Sequence, residues 1–415
     1  MKILQINNYN YLKGGSEKVY KVSIELLKER GHDVRYFSIA NEKNEEICQG
    51  YSVEVKPWND AKGILDKVKA VRNFIYNKKV ADELDSYLDS FKPDIAHLHI
   101  FYGGLSNAVV EILVKHKIPI VQSVHEFRLL CPAYTCLDSN LEICEQCADT
   151  IFKRGCIKKR CIKGSIATSL VAVAECWTRD MFYNYQKKFS AFIMVSQFIR
   201  DKHIEYYPQI ESKCFQIYNS VDVTHYAQFS VPADQKKDYY LYLGRLSSEK
   251  GIGTLIDVFI QNPNLKLKIA GTGPLEEELK KKVEQSGINN VVFLGFVSGE
   301  NLYQIIAQAR YTMVPSEWYE NNPLSIIESL ALGTPIIGSR IGGIPELIEN
   351  GKNGFLHESK NKKSLCEVLL KAEHLIPEEY ERQCQYSSKI AHQKFDNDIY
   401  YQKLITLYSN IINEQ

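Results

Sequence analysis

Apolar runs at residues 239–243, 265–270, 291–294, 311–314 and 335–338 alternate with helical patterns that begin at Gly251, Pro274, Glu300 and Asn322. Strands separated by helix-length segments cannot return as hairpins. They lie parallel, with helices covering both faces of a doubly wound sheet. Ligands of such sheets sit beyond the carboxyl ends of the strands. Here those ends carry Gly244 and Arg245, then Gly271, Thr272 and Gly273, then Gly295 and Phe296, and finally Glu320.

The first half opens the same way. A strand at 2–6 leads through a loop at 7–15 into a helix at 16–30, closed by Gly31 and followed by a strand at 34–38. Gly14 and Gly15, just before the helix, would let backbone approach a ligand, although a plain tight turn explains two glycines equally well. Further apolar strands are read at 93–100, 118–124 and 191–195, and a polar stretch reaching Asp238 fits a crossing between domains. A chain of 415 residues is long enough for two such domains. The expected division is 1–222, 223–388 and a terminal helix at 389–415.

Charge narrows the partners. With 51 basic and 50 acidic residues the net charge is +1, which gives no sign of a nucleic-acid binder. No apolar stretch approaches the roughly 20 residues needed to span a bilayer, and the N-terminus lacks a signal-peptide core, so a cytoplasmic protein is expected. Residues 60–90 read as helical, with Lys62, Lys67, Lys69, Arg72, Lys78 and Lys79 among Ile64, Leu65, Val68, Val71, Phe74 and Ile75. Such a face either rests on an anionic membrane or is an ordinary solvated helix packed on its domain.

The most informative stretch is 311–335. Asn322 is a suitable N-cap, Pro323 suits the first helical position, and Gly333 with Pro335 marks the stop. Backbone N–H groups from Leu324 onward would hold an anion at the positive end of the helix dipole. Glu320 and Glu328, with seven residues between them, bring two carboxylates towards one mouth, a geometry suited to hydroxyl-rich ligands. Taken alone, the pair is better read as surface charge. Arg245 and Lys250 supply a bidentate fork and a point charge that suit a diphosphate. His125, at a strand end, could reach a sugar hydroxyl or a phosphate, or be an ordinary loop histidine. His97 and His99 have metal-like spacing but no identifiable third ligand, and are read as structural.

Cys131, Cys136, Cys144, Cys147, Cys156 and Cys161 place six of the eleven cysteines within 31 positions. The CxxC at Cys144 and Cys147 has zinc-knuckle spacing. Three readings remain open: structural zinc, buried reduced thiols and a labile iron–sulfur cluster. Zinc stands ahead because a mostly polar loop can hardly bury six thiols unaided. Lys153, Arg154, Lys158, Lys159, Arg160 and Lys163 form a basic collar that could hold anionic lipid or simply solubilise the loop.

The block PSEWYENNPLSIIESLALGTPII, with E-x7-E inside it, resembles the retaining nucleotide-sugar glycosyltransferases of glycosyltransferase family 4, and the likeness runs the length of the chain. It implies a GT-B fold: two Rossmann-like doubly wound domains facing a cleft, acceptor-binding at 1–222 and nucleotide-sugar-binding at 223–388, with the last helix crossing back. It implies that Glu320 lies by the donor sugar, Glu328 binds ribose, and the backbone of Asn321, Asn322, Pro323 and Leu324 meets sugar or phosphate. Arg245 and Lys250, in G-R-x-x-x-x-K-G, match the pair that neutralises the leaving diphosphate, and His125 matches the active-site histidine. Gly14, Gly15, Gly244, Gly271 and the backbone near Phe296 fall in donor-binding positions, and Gly342, Gly343 and Glu346 match G-G-x-x-E. Some members carry a cysteine-bearing insert, here 131–161, whose positions correspond to Cys131, Cys144, Cys147 and Cys161, a candidate zinc set.

The expectation is therefore a retaining enzyme, without a catalytic cofactor, moving a sugar from a nucleoside diphosphate, a UDP-sugar first, to a saccharide or lipid-linked acceptor. Peripheral contact with the inner membrane face goes with it. A non-catalytic sugar-nucleotide-binding scaffold and an epimerase of the same fold are the competitors. A phosphorylase would need a pyridoxal lysine, for which no motif is present.

Overall fold

A computed structural model describes residues 1–56 and 62–414. The chain divides into two compact units, Met1–Ile217 with Tyr401–Gln415, and Tyr218–Tyr400. The expected division fell at 222/223 and 388/389.

The first unit holds β1 (Lys2–Ile6), β2 (Asp33–Ile39), β3 (Gly50–Val53), β4 (Ile95–Leu98), β5 (Ile120–Val124), β6 (Ala191–Met194) and β7 (Cys214–Gln216). They form one parallel sheet in the order β3-β2-β1-β4-β5-β6-β7. The second unit holds β8 (Tyr240–Leu243), β9 (Leu267–Ala270), β10 (Val291–Gly295), β11 (Tyr311–Val314), β12 (Ile336–Ser339) and β13 (Gly354–His357). Its order is β10-β9-β8-β11-β12-β13, again parallel. The winding reverses between β1 and β4 in one sheet and between β8 and β11 in the other. These are the points at which adjoining strand ends open a crevice for ligands.

Both sheets are covered on both faces, so their central strands are buried throughout and mostly apolar. Every residue of β4, β5, β6, β11 and β12 is buried. Crossover helices supply one apolar stripe each. In Gly15–Glu29 that stripe includes Val19, Tyr20, Ile24 and Leu27, and the chain leaves through Gly31 at φ +81, which a side chain would resist. Burying each such large apolar residue contributes about 2 kcal/mol.

Three local expectations change. The stretch at 60–90, whose first two positions lie outside the described residues, is two helices, Ile64–Ile75 and Lys78–Ser90. The first buries nothing and exposes Ile64, Leu65 and Val68, whereas the second buries Val80, Ala81, Leu84 and Leu88. The terminal segment likewise breaks at Phe395, between Pro377–Lys394 and Asn397–Asn413. The helix after β11 is Leu324–Ala331 with Pro323 as its cap. Asn322 does not cap it because its side chain is otherwise engaged: its Oδ1 accepts the Asn219 N–H at 2.8 Å.

Candidate active site

The carboxyl ends of β8, β9 and β10 are joined through backbone. The Gly244 N–H donates to the Ala270 carbonyl at 3.0 Å, Gly271 to Gly295 at 2.7 Å, and Leu246 to Thr272 at 3.0 Å. A Cβ on Gly271 would lie 1.9 Å from the Gly244 carbonyl oxygen, and one on Gly273 would lie 2.4 Å from that of Leu246. Glycine is therefore required where these strand ends close up, and the mouth they form is lined by backbone.

At the switch point the chain leaves β8 through Arg245, which is exposed, and makes a short turn at Ser248–Lys250. Gly251 follows at φ +68, and a Cβ there would meet the Pro315 carbonyl oxygen at 1.9 Å. This contact seats the β8 turn on the β11 loop and brings Lys250 to Glu320. Glu320 is 7% exposed. Its Oε1 accepts from Lys250 Nζ at 2.7 Å, Ser316 Oγ at 2.7 Å and Trp318 Nε1 at 2.9 Å. The Lys250 ammonium also sits 4.9 Å from the centre of the Trp318 ring. Burial by itself would raise the Glu320 pKa, but the Lys250 charge and these hydrogen bonds outweigh it, and the carboxyl stays below its usual range. The Glu320 main chain is gripped too: the Gly343 N–H donates to its carbonyl at 2.7 Å, and a Cβ on Gly342 would meet that oxygen at 2.3 Å. The G-G-x-x-E segment thus shapes the loop that presents Glu320.

Glu328 is buried on the following helix, where its Oε1 accepts from the Tyr226 hydroxyl at 3.3 Å. Ile326 N–H turns back on the Pro323 carbonyl at 3.1 Å, and the helix Leu324–Ala331 starts directly after the loop that holds Asn321. Phe296, at the end of β10, is 74% exposed. In the first unit Gly14 precedes its helix in extended backbone, φ −168, and a Cβ there meets only Glu17 Oε2 at 3.5 Å. That conformation does not demand glycine, and nothing else in the fold calls for it at this position.

His125 follows β5, and sequence reasoning missed what lies behind it. Its Nε2 is 3.0 Å from His99 Nδ1, and His99 Nε2 is 3.1 Å from Gln5 Oε1. Gln5 Nε2 is 3.5 Å from His97 Nδ1, which also lies 2.6 Å from the Tyr408 hydroxyl, and His97 Nε2 is 2.8 Å from Ser123 Oγ. Period-two alternation puts His97, on β4, and His99, just beyond its end, on the same side, and the β1 register sets Gln5 opposite His97. Burial, with adjacent imidazoles adding to it for two of them, pushes His97 down to about 3, His125 to about 4 and His99 well below normal. All three are neutral at pH 7.

Among the described residues no group of three or more His, Cys, Asp or Glu side chains is arranged to hold a metal ion. Cys131 pairs with Cys136 and Cys161 with Cys156. Cys144 Sγ accepts from Lys159 Nζ at 3.4 Å, and Cys147 Sγ lies 3.5 Å from the Lys153 carbonyl oxygen. The Cys136 hydrogen bond lowers the Cys131 thiol to about 7, assisted by the Ala133 and Cys136 amides and by Arg128. Besides these partners, Cys131, Cys147 and Cys161 lie within electrostatic reach of one another. The collar is only partly a collar: Lys153 is buried with Nζ on the Cys147 carbonyl at 3.1 Å, and Lys159 turns to Asp138 at 3.0 Å. Arg179, fully buried, carries the loop beyond His125 by donating to the Arg128 carbonyl at 3.1 Å.

Comparison with known proteins agrees with this geometry. Residues 13–225 match the family described as Glycosyltransferase Family 4, and residues 226–390 match Glycosyl transferases group 1. An uncharacterized protein of the cps region of Klebsiella pneumoniae is 25% identical over 84% of this chain and 87% of its own. The amylovoran biosynthesis glycosyltransferase AmsK of Erwinia amylovora is 30% identical over 32% of this chain and 35% of its own. Anabaena HepE, solved in complex with UDP, superposes with a TM-score of 0.70 at 19% identity, covering 99% of this chain and all of that one. A Rickettsia africae glycosyltransferase gives a TM-score of 0.72 at 14% identity, over 100% and 99%. The chain belongs to glycosyltransferase family 4, and its two parallel-sheet units are those of the GT-B fold.

Proposed function

We propose that the protein is a retaining glycosyltransferase that moves a hexosyl or related sugar from a nucleoside diphosphate, UDP first, to a saccharide or lipid-linked acceptor in cell-surface polysaccharide synthesis. The observation that carries the reading is Glu320: a buried carboxylate kept ionised by Lys250, Trp318 and Ser316 at the end of β11, beside glycine-lined strand ends and a helix N-terminus. Such a group accepts hydrogen bonds from sugar hydroxyls with its geometry already fixed.

Arg245 and Lys250, with the amides of Leu324–Ala331, oppose the negative charge that builds on the departing diphosphate. Because these donors are in place before reaction, the leaving group is stabilised without reorganisation. Glu328 takes the ribose, and backbone near Phe296 takes the base. His125 meets a sugar hydroxyl. The acceptor hydroxyl attacks from the face the diphosphate leaves, so no strong general base is needed. HepE, a structural relative, binds UDP, which is why UDP-sugars come first.

The exposed Ile64, Leu65 and Val68, on a helix that also carries Lys67, Lys69 and Arg72, support peripheral contact with an anionic, cytoplasmic membrane face. Among the described residues no helix is long and apolar enough to cross a membrane. The deciding experiment is nucleoside diphosphate release from UDP-, GDP- and ADP-sugars without added metal, comparing the intact protein with Glu320→Ala. Release by the intact protein alone names the donor. Absence of both release and donor binding overturns the assignment.

A further inference from the structure

We propose that the helix Ile166–Thr178 and the π turn that continues it, Arg179–Tyr183, seat the first unit on an anionic bilayer, with Trp177, Met181 and Phe182 entering the acyl boundary. The inference rests on the reading that gives the protein peripheral membrane contact through Ile64–Ile75, and deepens it by naming a second helix and the side chains that enter the lipid.

An ordinary surface helix is apolar on one face and charged on the other. Ile166–Thr178 is built differently. Its inner stripe is Ser169, Ala172, Val173 and Cys176, all buried. Its outer stripe is Ile166, Leu170 and Trp177, at helical spacing, and Met181 continues it into the π turn; each of these is 40% exposed or more. The helix carries one charged side chain, Glu175, and that one is buried. Two uncharged faces call for two apolar neighbours, and the core of the unit supplies only one of them.

The π turn extends the outward side. Arg179 is fully buried, whereas Met181 and Phe182 follow in succession and are both exposed. Turns of this kind are rare and frequently lie at functional places. The patch is also continuous with the first basic helix. Ile64–Ile75 and Ile166–Thr178 touch, and Tyr76, which ends the one, stacks on Tyr183, which ends the π turn, with ring centres 6.3 Å apart. Ile64, Leu65 and Val68 therefore border the same apolar area, which is more than a scatter of single surface residues.

The surroundings decide the occupant. On Ile64–Ile75 the basic Lys67, Lys69 and Arg72 stand against Asp66 alone. The segment 154–163, which leads into the second helix, exposes Arg154, Lys158, Arg160 and Lys163 and contains no acid. Asp180, in the π turn, is held by Arg179 Nε at 3.0 Å. Cations also lie beside the exposed rings: Lys188 Nζ donates to the Phe182 carbonyl at 3.4 Å, and the Arg154 guanidinium is 5.4 Å from the centre of the Phe152 ring. An apolar centre with a basic rim complements acyl chains beneath anionic headgroups, whereas a second copy of this face would set like charges against each other.

Flotation of the intact protein with vesicles of phosphatidylcholine alone, and of phosphatidylcholine and phosphatidylglycerol in equal parts, tests this. The protein should bind the anionic vesicles and be released by salt. Leu170→Glu with Trp177→Glu should weaken that binding about tenfold or more. The melting temperature of this variant should stay within about 2 °C, because both side chains already meet water. Wild-type binding in the variant overturns the inference. Tryptophan emission gives a second readout that does not depend on the variant folding. Brominated acyl chains in the anionic vesicles should quench the wild type more strongly than Trp177→Phe, and equal quenching overturns the inference. If the intact protein binds neither vesicle, peripheral contact itself fails and this inference falls with it. If it binds, and only Leu65→Glu with Val68→Glu weakens it, peripheral contact stands and the second helix has no part in it. A dimer in solution that Leu170→Glu with Trp177→Glu splits would assign the face to a second copy and overturn the inference.

Discussion

The two switch points do similar work with opposite materials. Between β8 and β11 the site is built from backbone and from side chains close to one another in sequence: glycines at strand ends, a helix start, and Glu320 bonded to Ser316 and Trp318, four and two residues away. Between β1 and β4, the residues behind His125 come from positions 5, 97, 99, 123 and 408. One end holds charge: Glu320 stays ionised against Lys250. The other excludes it: three neighbouring imidazoles are kept neutral. The contrast suits a reaction in which one partner leaves as an anion and the other presents hydroxyls.

The sharpest way to break the comparison is at the charged end. Lys250→Met strands a buried carboxylate, and should abolish diphosphate release by about 10³-fold, the scale of one lost electrostatic contact to developing charge. It should also cost about 3 kcal/mol of stability, less than a fully buried pair would because Lys250 is 26% exposed. Adding Glu320→Gln should restore most of that stability in urea unfolding and none of the activity. If the double variant is active, charge at Glu320 is not what the site uses. Next in size is the close approach that seats Lys250. Gly251→Ala adds a Cβ 1.9 Å from the Pro315 carbonyl at φ +68, and should lower stability by about 2–4 kcal/mol. An unchanged melting temperature would show that the β8 turn does not rest on the β11 loop.

The difference in materials also explains what the sequence made legible. Alternating apolar runs settle two parallel sheets, because period and spacing are local properties. The charged end was readable for the same reason: Asn321, Asn322, Pro323, Leu324 and Glu328 fall in one continuous block, and Gly244, Arg245 and Lys250 in another. Asn322 was misread as the helix cap because its true partner, Asn219, lies 103 positions away. His97 and His99 carried one usable signal, two polar side chains on the same face of an otherwise apolar strand. Such a pair demands buried partners, but Gln5 and Tyr408 are not findable by spacing. The edge strands β3 and β13 were missed because short edge strands have little periodicity to show.

Acidity separates the two ends more gently. A histidine held neutral by the fold contributes stability that is fully present above its unfolded value of 6.5 and is lost as pH falls towards its folded value, about 3 for His97 and about 4 for His125. Each should add about 1.4 kcal/mol per pH unit to the slope of unfolding free energy below pH 6. Glu320, whose folded value lies below the usual 4.5, adds nothing until pH falls near that figure. Urea unfolding of the intact protein and of His97→Gln between pH 7 and 5 should therefore differ in slope by about that amount. Parallel slopes would mean that His97 is charged or solvated in the folded protein.

The cysteine insert follows His125 in the first unit and sharpens the comparison last, because the expected change is smallest. The family resemblance offers Cys131, Cys144, Cys147 and Cys161 as one zinc set; in the fold Cys131, Cys147 and Cys161 lie within electrostatic reach of one another, and the sulfurs also have nearer neighbours in Cys136, Lys159, the Lys153 carbonyl and Cys156. Other forces hold the loop. Cys147 and Cys156 pack against Val173 with Ile157 and Ile162 at the edge. The buried Lys153 donates to the Cys147 carbonyl, and Asp138 accepts the Asn140 and Glu142 amides at 2.9 and 3.1 Å. A segment tied down by packing and main-chain hydrogen bonds should not need metal to fold, unlike a zinc finger, whose folding energy is the binding energy of its ion. Treatment of the purified, reduced protein with a strong chelator should leave the melting temperature within about 1 °C, and all eleven cysteines should titrate as free thiols after unfolding. Release of one zinc per chain, with a fall of many degrees on chelation, would show instead that the sulfurs leave these partners and close around an ion, and that both ends of the molecule are organised by charge.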